Sequence, residues 1–440
     1  MKLLKKLILI LVGLIALIAI SLYLFLKVRE QHSKQALVHS ESEYVMRVSV
    51  DKILSDIARN AIKNPGYYLT KDTTSSTVPD RIKSSDLGLH IPASIYLFTF
   101  KDKEGTWYTL LEVDDHQKLQ TFLRQRVVGD SIQIEQEGSN WWVSSNDDRM
   151  SFYGDSKQVL VALSLEKTGK KQEIMELWNQ RIDHMLPIST AEDFNLENSA
   201  VDIQWQQRGV STSGIMSFNQ GMIALELSLA NSVLRLPSEA QVRALPTSNV
   251  LNVYCQADLS PLLMKYKDNL KRYNIPVDTL MRYYGGYLDL QWRSEDVVQM
   301  DSVIAYDYDD NFNRIEKKEL REESVPNLLF TFKASPHLKS YLPERLFYKF
   351  YKTMDGDQIG LSTDAEAKNN YPYHRTNDAL HISYQHNDAV QRYLGWVPQL
   401  DNIKQILISG RGEGVSSSFA GQVLLKESKI HALYQLLKDK

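Results

Sequence analysis

Few residue spacings in this chain could carry chemistry, and each departs from what that chemistry requires. Asp307-x-Asp309-x-Asn311-x-Asn313 begins like a calcium loop. Such a loop needs glycine at its sixth position for the sharp turn and glutamate at its twelfth to close the coordination sphere. Here those positions are Phe312 and Lys318, so a strand end with a polar turn is the simpler reading. Gly410-Arg-Gly-Glu-Gly414 follows an apolar run, as a phosphate loop would. The residues after it, VSSSFAGQVLL, read as a strand, so the helix N-terminus that supplies most phosphate donors is missing. Gly209-Val-Ser-Thr-Ser-Gly214 lacks the Gly-x-Ser-x-Gly spacing of a nucleophile elbow. Asp307 and Asp355 are candidate carboxylates for an envelope hydrolase, but Asp355-Gly356 reads first as a hairpin turn. His381 and His386 are close in sequence without the spacing of a metal pair. The reading is therefore no catalytic residues, no metal site and no cofactor.

A binding surface has more support. Trp141 and Trp142 are adjacent, and the chain holds 23 tyrosines. Neighbouring strand residues face opposite sides of a sheet. One tryptophan is thus expected in the core and the other at a surface that could hold peptide, lipid or glycan. The tract Arg314 to Glu323, RIEKKELREE, mixes signs and reads as a solvated face.

The elements that would position these residues alternate mostly as strands. ASIYLFTFKDKEGTWYTLLEV reads as a hairpin turning at Lys103-Glu104-Gly105. Four segments share a strand, a capping residue and a helical turn: from Tyr44 through Asp51, from Val250 through Ser260-Pro261, from Val325 through Ser335-Pro336, and from Asn377 through Asn387. Serine, asparagine and aspartate accept from the first free amides of a helix, and proline suits its first turn. The apolar fourth and seventh positions share one helical face. The repetition predicts two related α+β halves, mostly antiparallel, at 43–236 and 249–440. Residues 237–248, flanked by Pro237 and Pro246, read as the linker between them.

One stretch sets location. Leu7 to Leu26, LILILVGLIALIAISLYLFL, has no charge. Twenty residues of helix span roughly 30 Å, a bilayer's hydrocarbon thickness. The run exceeds a signal-peptide core and lacks a convincing cleavage site or lipobox cysteine. It predicts a retained single-pass transmembrane helix within 1–29, followed by a polar stalk at 30–42. Lys2, Lys5, Lys6 and the amino terminus outweigh Lys27 and Arg29. The amino terminus is therefore expected in the cytoplasm and the body outside it, in a bacterium the periplasm.

The remaining composition agrees with that location. Outside residues 1–29 the chain carries 46 basic against 54 acidic residues, which leaves no basic footprint for nucleic acid. Cys255 is the one cysteine, so no intrachain disulfide forms, and VLNVYCQA reads as a strand that buries it.

The amino-terminal apolar run, YVMRVSVDKIL, LGLHIPASIYLFTFKDKEGTWYTLLEV, VIAYDYDDNFN and the closing GQVLLKESKIHALYQLL together resemble uncharacterised cell-envelope proteins of Bacteroidetes type, a family known by domain-of-unknown-function labels. Many relatives of that kind carry a lipoprotein cysteine where this chain has an apolar run. The resemblance implies an extracytoplasmic, duplicated α+β body at the bacterial inner membrane and supplies no activity or site residues. The expected function is a non-enzymatic accessory or binding subunit of an envelope complex. A periplasmic binder of peptide, lipid or glycan is the alternative, and a hydrolase a weaker one.

Overall fold

The computed structural model describes residues 21–438, apart from 22, 70–85, 104, 129–133, 168, 199, 211, 232–233, 273–275, 309–313, 342–344, 347–348 and 368. The chain divides into two compact units, Met1–Ser217 and Phe218–Lys440.

The first unit is built on an antiparallel sheet. Helix α1 over residues 23–33 leads into β1 (Leu37–His39) and β2 (Tyr44–Val48). Then come α2 (Val50–Lys63), α3 (Pro65–Leu69), β3 (Ile95–Thr99), β4 (Thr106–Glu112) and α4 (His116–Phe122). A meander of β5 (Glu135–Glu137), β6 (Asn140–Ser144), β7 (Met150–Gly154) and β8 (Gln158–Ser164) precedes α5 (Lys171–His184), β9 (Met185–Pro187), β10 (Ile203–Gln207) and β11 (Ser213–Asn219). Side by side, the strands run β11-β10-β2-β3-β4-β8-β7-β6-β5, and β1 pairs separately with β9.

Both faces of this sheet are covered. Helix α5 lays Ile174, Leu177 and Trp178 against Phe98, Tyr108, Trp142 and Leu160 on one side. Leu119 of α4 and Leu123 meet Trp141, Val143, Phe152 and Val159 on the other. The strands here therefore read as near-continuous apolar runs, such as QVLVALS, instead of strict alternation.

The second unit is also antiparallel. It contains β12 (Met222–Ala230), β13 (Ala240–Arg243), β14 (Leu251–Gln256), α6 (Ser260–Lys265), α7 (Lys267–Arg272) and α8 (Val277–Tyr283). Two very long strands follow, β15 (Tyr284–Tyr308) and β16 (Arg314–Ala334). The rest is β17 (Arg345–Leu346), β18 (Phe350–Asp355), β19 (Gln358–Ser362), β20 (Tyr373–Thr376), β21 (Leu380–Gln385), α9 (Asp388–Leu394), β22 (Ile403–Glu413), β23 (Ser416–Leu425) and α10 (Ala432–Lys438). The order is β12-β23-β22-β21-β14-β15-β16-β19-β18-β17, with β13 and β20 paired apart.

These observations correct the expected fold class, α+β with a single N-terminal transmembrane helix. Antiparallel strand dominates, and helices α6 to α10 are only six or seven residues long. Among the described residues no helix is long and apolar enough to cross a membrane. Most of the run Leu7–Leu26 lies outside the described residues, and what α1 adds beyond it is the polar stretch Lys27 to Ser33.

Two further stretches differ from expectation. Residues 30–42 are no free stalk. Val38 and Ser42 are wholly buried, β1 pairs with β9, and Arg29 reaches both Asp51 oxygens at 2.9 and 3.0 Å. Residues 237–248 are no linker between units. They lie inside the second unit, where β13 buries Val242 and Arg243 completely. Each of the four strand–cap–helix segments does place a helical turn after a strand, the third as a 3-10 turn at Pro336–Tyr341. Asn387 caps α9 through the Ala389 and Val390 amides, whereas Ser49 precedes α2 and Asp51 lies in its first turn.

His39 gives the first unit a pH dependence. Its ring is buried, stacks on His184 at 5.6 Å, and accepts the Glu41 amide at Nδ1. Burial lowers its pKa, with His184, Lys103 and Arg208 adding to the effect and Glu41 opposing it. The folded state therefore holds this proton less tightly than the unfolded chain. The stabilisation is complete above the unfolded value near 6.5 and is lost as pH falls below it. Denaturant midpoints measured at neutral and mildly acidic pH should drop further in the native chain than in His39→Phe. Equal drops would show that His39 titrates alike in both states.

Candidate binding surface

The residues singled out in the sequence are scattered. Trp141 is 1 % and Trp142 7 % exposed, so neither offers a surface ring. They do face opposite sides of β6, but both sides are core, and Trp141 Nε1 donates to the Asp155 carbonyl at 3.0 Å. The expected exposed tryptophan is instead Trp396, 78 % exposed just after α9.

The chemistry-like spacings resolve into strand ends and turns. Asp307 is near the end of β15 at the register position opposite Ile315, and 309–313 lie outside the described residues. Asp355 and Gln358 pair across a turn in which Gly356 has φ 57°. The Gly410–Gly414 segment is the β22–β23 hairpin, and a Cβ on Gly412 would sit 2.0 Å from the Leu236 carbonyl oxygen. Gly410 and Gly412 allow close packing, and Gly414 adopts the left-handed φ of 72° that the turn requires. His381 stacks on Tyr254, while His386 Nδ1 meets the Tyr384 hydroxyl at 3.1 Å. Burial pushes the Cys255 thiol up to about 11, which keeps it protonated and unreactive. Among the described residues no group of three or more His, Cys, Asp or Glu could hold a metal ion.

One ionisable cluster has the perturbation expected of a site, yet it is sealed. Arg243 on β13 and Asp289 on β15 are both 0 % exposed, with Nε and Oδ2 at 2.9 Å. Arg243 Nη1 also donates to Gln358 and Asn369, and its guanidinium lies over the Tyr371 ring at 5.2 Å. Gln291 donates to Asp289, and Asn249 donates to Gln291 and Asn252. Burial pushes the Asp289 carboxyl up to about 6 against the opposing pull of Arg243. Strong perturbation marks catalytic groups only where a substrate can reach them. Here no atom of either side chain meets solvent, so the cluster ties β13 to the sheet.

A cavity in the first unit is more open. It has a volume of about 570 Å³ and is lined by Phe25, Arg29, His32, Ala36, Leu110 and Glu112, among others. Arg29 is already committed to Asp51 and to the Ile91 carbonyl. The remaining wall combines apolar side chains with His32 and Glu112, which suits a partly apolar ligand.

A second apolar feature is an arm. Strand β14 stops opposite Trp292, and β19 stops opposite Leu329. Beyond those points β15 and β16 pair only with each other among the described residues, from Asp296 and Pro326 to Tyr308 and Arg314. At strand rise this ribbon extends roughly 40 Å. A register shift between Trp292 and Asp296 marks its root, the kind of irregularity that bends a strand out of its sheet. The root is tied down. Gln299 donates to the Lys349 and Thr363 carbonyls, Lys349 pairs with Glu323, and Arg392 of α9 pairs with Asp296. Tyr393 packs edge-on against Trp292. Further out, on the face that α9 covers at the root, Val298 is 64 %, Met300 51 % and Leu320 69 % exposed. Three large apolar side chains on one face of a two-stranded ribbon are costly unless something covers them.

Arg314 to Glu323 reads from the sequence as a solvated face, but neither the arm as a whole nor Trp396 is marked there. The available signal was length: β15 and β16 run 25 and 21 residues, against roughly 5 or 6 for an ordinary strand.

The structural reading of the buried pair is testable. Asp289→Asn leaves a buried guanidinium without its counter-charge and should cost about 3–5 kcal/mol in denaturant unfolding. Arg243→Met with Asp289→Leu should recover most of it. A double variant no more stable than the single one would assign the loss to something other than the unpaired charge. Comparison with protein-family models, curated proteins and solved structures finds no match to this chain in any of the three.

Proposed function

We propose that this chain is a non-enzymatic protein of the bacterial inner membrane, a binding or accessory subunit of an envelope protein complex. In this reading the apolar run at 7–26 holds it at the membrane, with the amino terminus cytoplasmic and the body periplasmic. The location rests on the charge pattern around that run and on the acidic remainder of the chain. The mode of action rests on the arm. A ribbon hydrogen-bonded at its root, with Val298, Met300 and Leu320 exposed on one face, offers an apolar surface that a protein partner would cover. The full chain, recovered in mild detergent at natural expression, should bring a stable protein partner with it. Val298→Asp with Met300→Asp should lose that partner while leaving the fold intact. Recovery of the chain as a lone monomer, or retention of the partner by the double variant, would overturn the reading.

The cavity beside α1 favours a second reading, a binder of a peptide, lipid or glycan. Its volume of about 570 Å³ is in the range of small-ligand sites. Native mass spectrometry of the full chain should then show a bound mass that Ala36→Trp displaces. A clean protein mass from freshly isolated material would remove this reading and leave the first untouched.

A further inference from the structure

We propose that a second copy of this chain occupies the arm, and that the two copies join through the outer edge of β16 by a two-fold axis at Leu320. The inference rests on the arm being a docking element and names its occupant.

The edge is open. Strand β16 pairs with β19 only over Leu329–Lys333, and among the described residues its stretch from Arg314 to Val325 has β15 on one side and no strand on the other. Such an edge presents a row of free amides and carbonyls that can template another strand. Proteins blunt such edges with charge. The charges here are arranged differently from a simple deterrent.

The sequence Lys317-Lys318-Glu319-Leu320-Arg321-Glu322-Glu323 is complementary to its own reverse. In an antiparallel ladder, opposed residues must point to the same face, so two copies of one strand can be opposed only in registers that preserve that parity. With the axis at Leu320, Glu319 lies opposite Arg321 of the second copy, Lys318 opposite Glu322, and Lys317 opposite Glu323. Each pairing occurs twice. Moving the axis one residue to Glu319 opposes Lys317 with Arg321 and Glu316 with Glu322. Moving it to Arg321 opposes Glu319 with Glu323. Opposite charges directly across a strand pair stabilise it, and like charges disfavour it. The register at Leu320 is thus selected against both neighbours. A point of reversal within one strand is what a two-fold contact requires, and an unrelated partner would not impose it.

The inner pairs have the strongest footing. Glu319 and Arg321 are already neighbours on one face at 3.7 Å, so two copies would form an alternating four-charge array. Glu323 is partly engaged by Lys349 at 2.7 Å, which weakens the outermost pairing. On the opposite face, Leu320 at 69 % exposure would meet its own copy. Val298 and Met300 lie on that same face, one strand further in. Joining the edges would make a four-stranded sheet, β15-β16-β16-β15, with one apolar stripe across it.

The test uses the full chain in mild detergent, with association followed by sedimentation velocity. The native chain should dimerise at low micromolar concentration. Glu319→Arg and Arg321→Glu, each alone, oppose like charges twice and should weaken the dimer at least tenfold. The two together restore opposite signs and should restore the dimer. A monomeric native chain, single variants without effect, or a combined variant no better than the singles would each overturn the proposal. Leu320→Cys gives an independent check, because the only native cysteine, Cys255, is buried. Mild oxidation should link Leu320→Cys into a covalent dimer and leave Val298→Cys, three strand spacings from its copy, unlinked. Equal linking of both would indicate stacking of faces and overturn the edge contact. Loss of a protein partner in the Val298 and Met300 aspartate variant, with no response to the charge variants, would reject the second copy alone. Loss of neither would reject the arm as a docking element.

Discussion

A guanidinium and a carboxylate with no exposed atom hold the second unit together. Arg243 belongs to the short β13–β20 ribbon, and Asp289 belongs to β15 in the main sheet. Removing either charge from water is expensive, and their attraction offsets that cost only when the remaining donors and acceptors are also satisfied. The surroundings do much of this. Gln358, Asn369 and Gln291 bond the pair, Thr331 bonds Asn369, and the Tyr287 hydroxyl takes the Arg243 amide. These partners come from β13, β15, β16, β19 and the chain before β20. One ion pair therefore fixes the relative placement of segments far apart in sequence, and a slip of β15 by one residue would turn Asp289 to the other face. The upward shift of the Asp289 pKa reports the burial cost that the network offsets.

That clamp makes the arm intelligible. Strand β15 is fixed at Asp289, flanked by β14 and β16 as far as Trp292, then released at the irregularity before Asp296. Past that point a two-stranded ribbon has only its own ladder, and an isolated ribbon is marginal in water. The root contacts from Gln299, Lys349 and Arg392 account for its first turns. Among the described residues of the outer stretch, Val298, Met300 and Leu320 are exposed, and β16 has no strand on its outer side from Arg314 to Val325. The proposed interface would cover the apolar side chains that this stretch leaves exposed.

Legibility in the sequence followed what each residue pattern physically encodes. Alternation and caps are local, so the antiparallel character and the four strand-to-helix turns could be read directly. Burial on both faces is not local. Trp141 and Trp142 were correctly placed on opposite sides of a strand, yet the second face is covered by α4 and Leu123, whose approach no two-residue period announces. Proline flanks made 237–248 resemble a linker, while Val242 and Arg243 inside it were already core residues. The polar stretch 30–42 looked like a tether because its burial depends on β9, far along the chain. Charge balance on β16 was visible, but its reversal about Leu320 acquires meaning only once one edge of that strand is known to be open.

The same distinction bears on activity. Catalysis needs a perturbed group that substrate can reach and that has neighbours placed to act with it. Among the described residues, the carboxyl whose pKa is raised, Asp289, is sealed at 0 % exposure, the Cys255 thiol is raised by burial alone, and Asp355 sits at a hairpin turn. What the second unit exposes instead is apolar area on a ribbon and an aromatic at Trp396, features whose free energy is released by covering them. The proposed docking role rests on that exposed apolar area, and the clamp at Arg243 fixes the strand from which the ribbon departs.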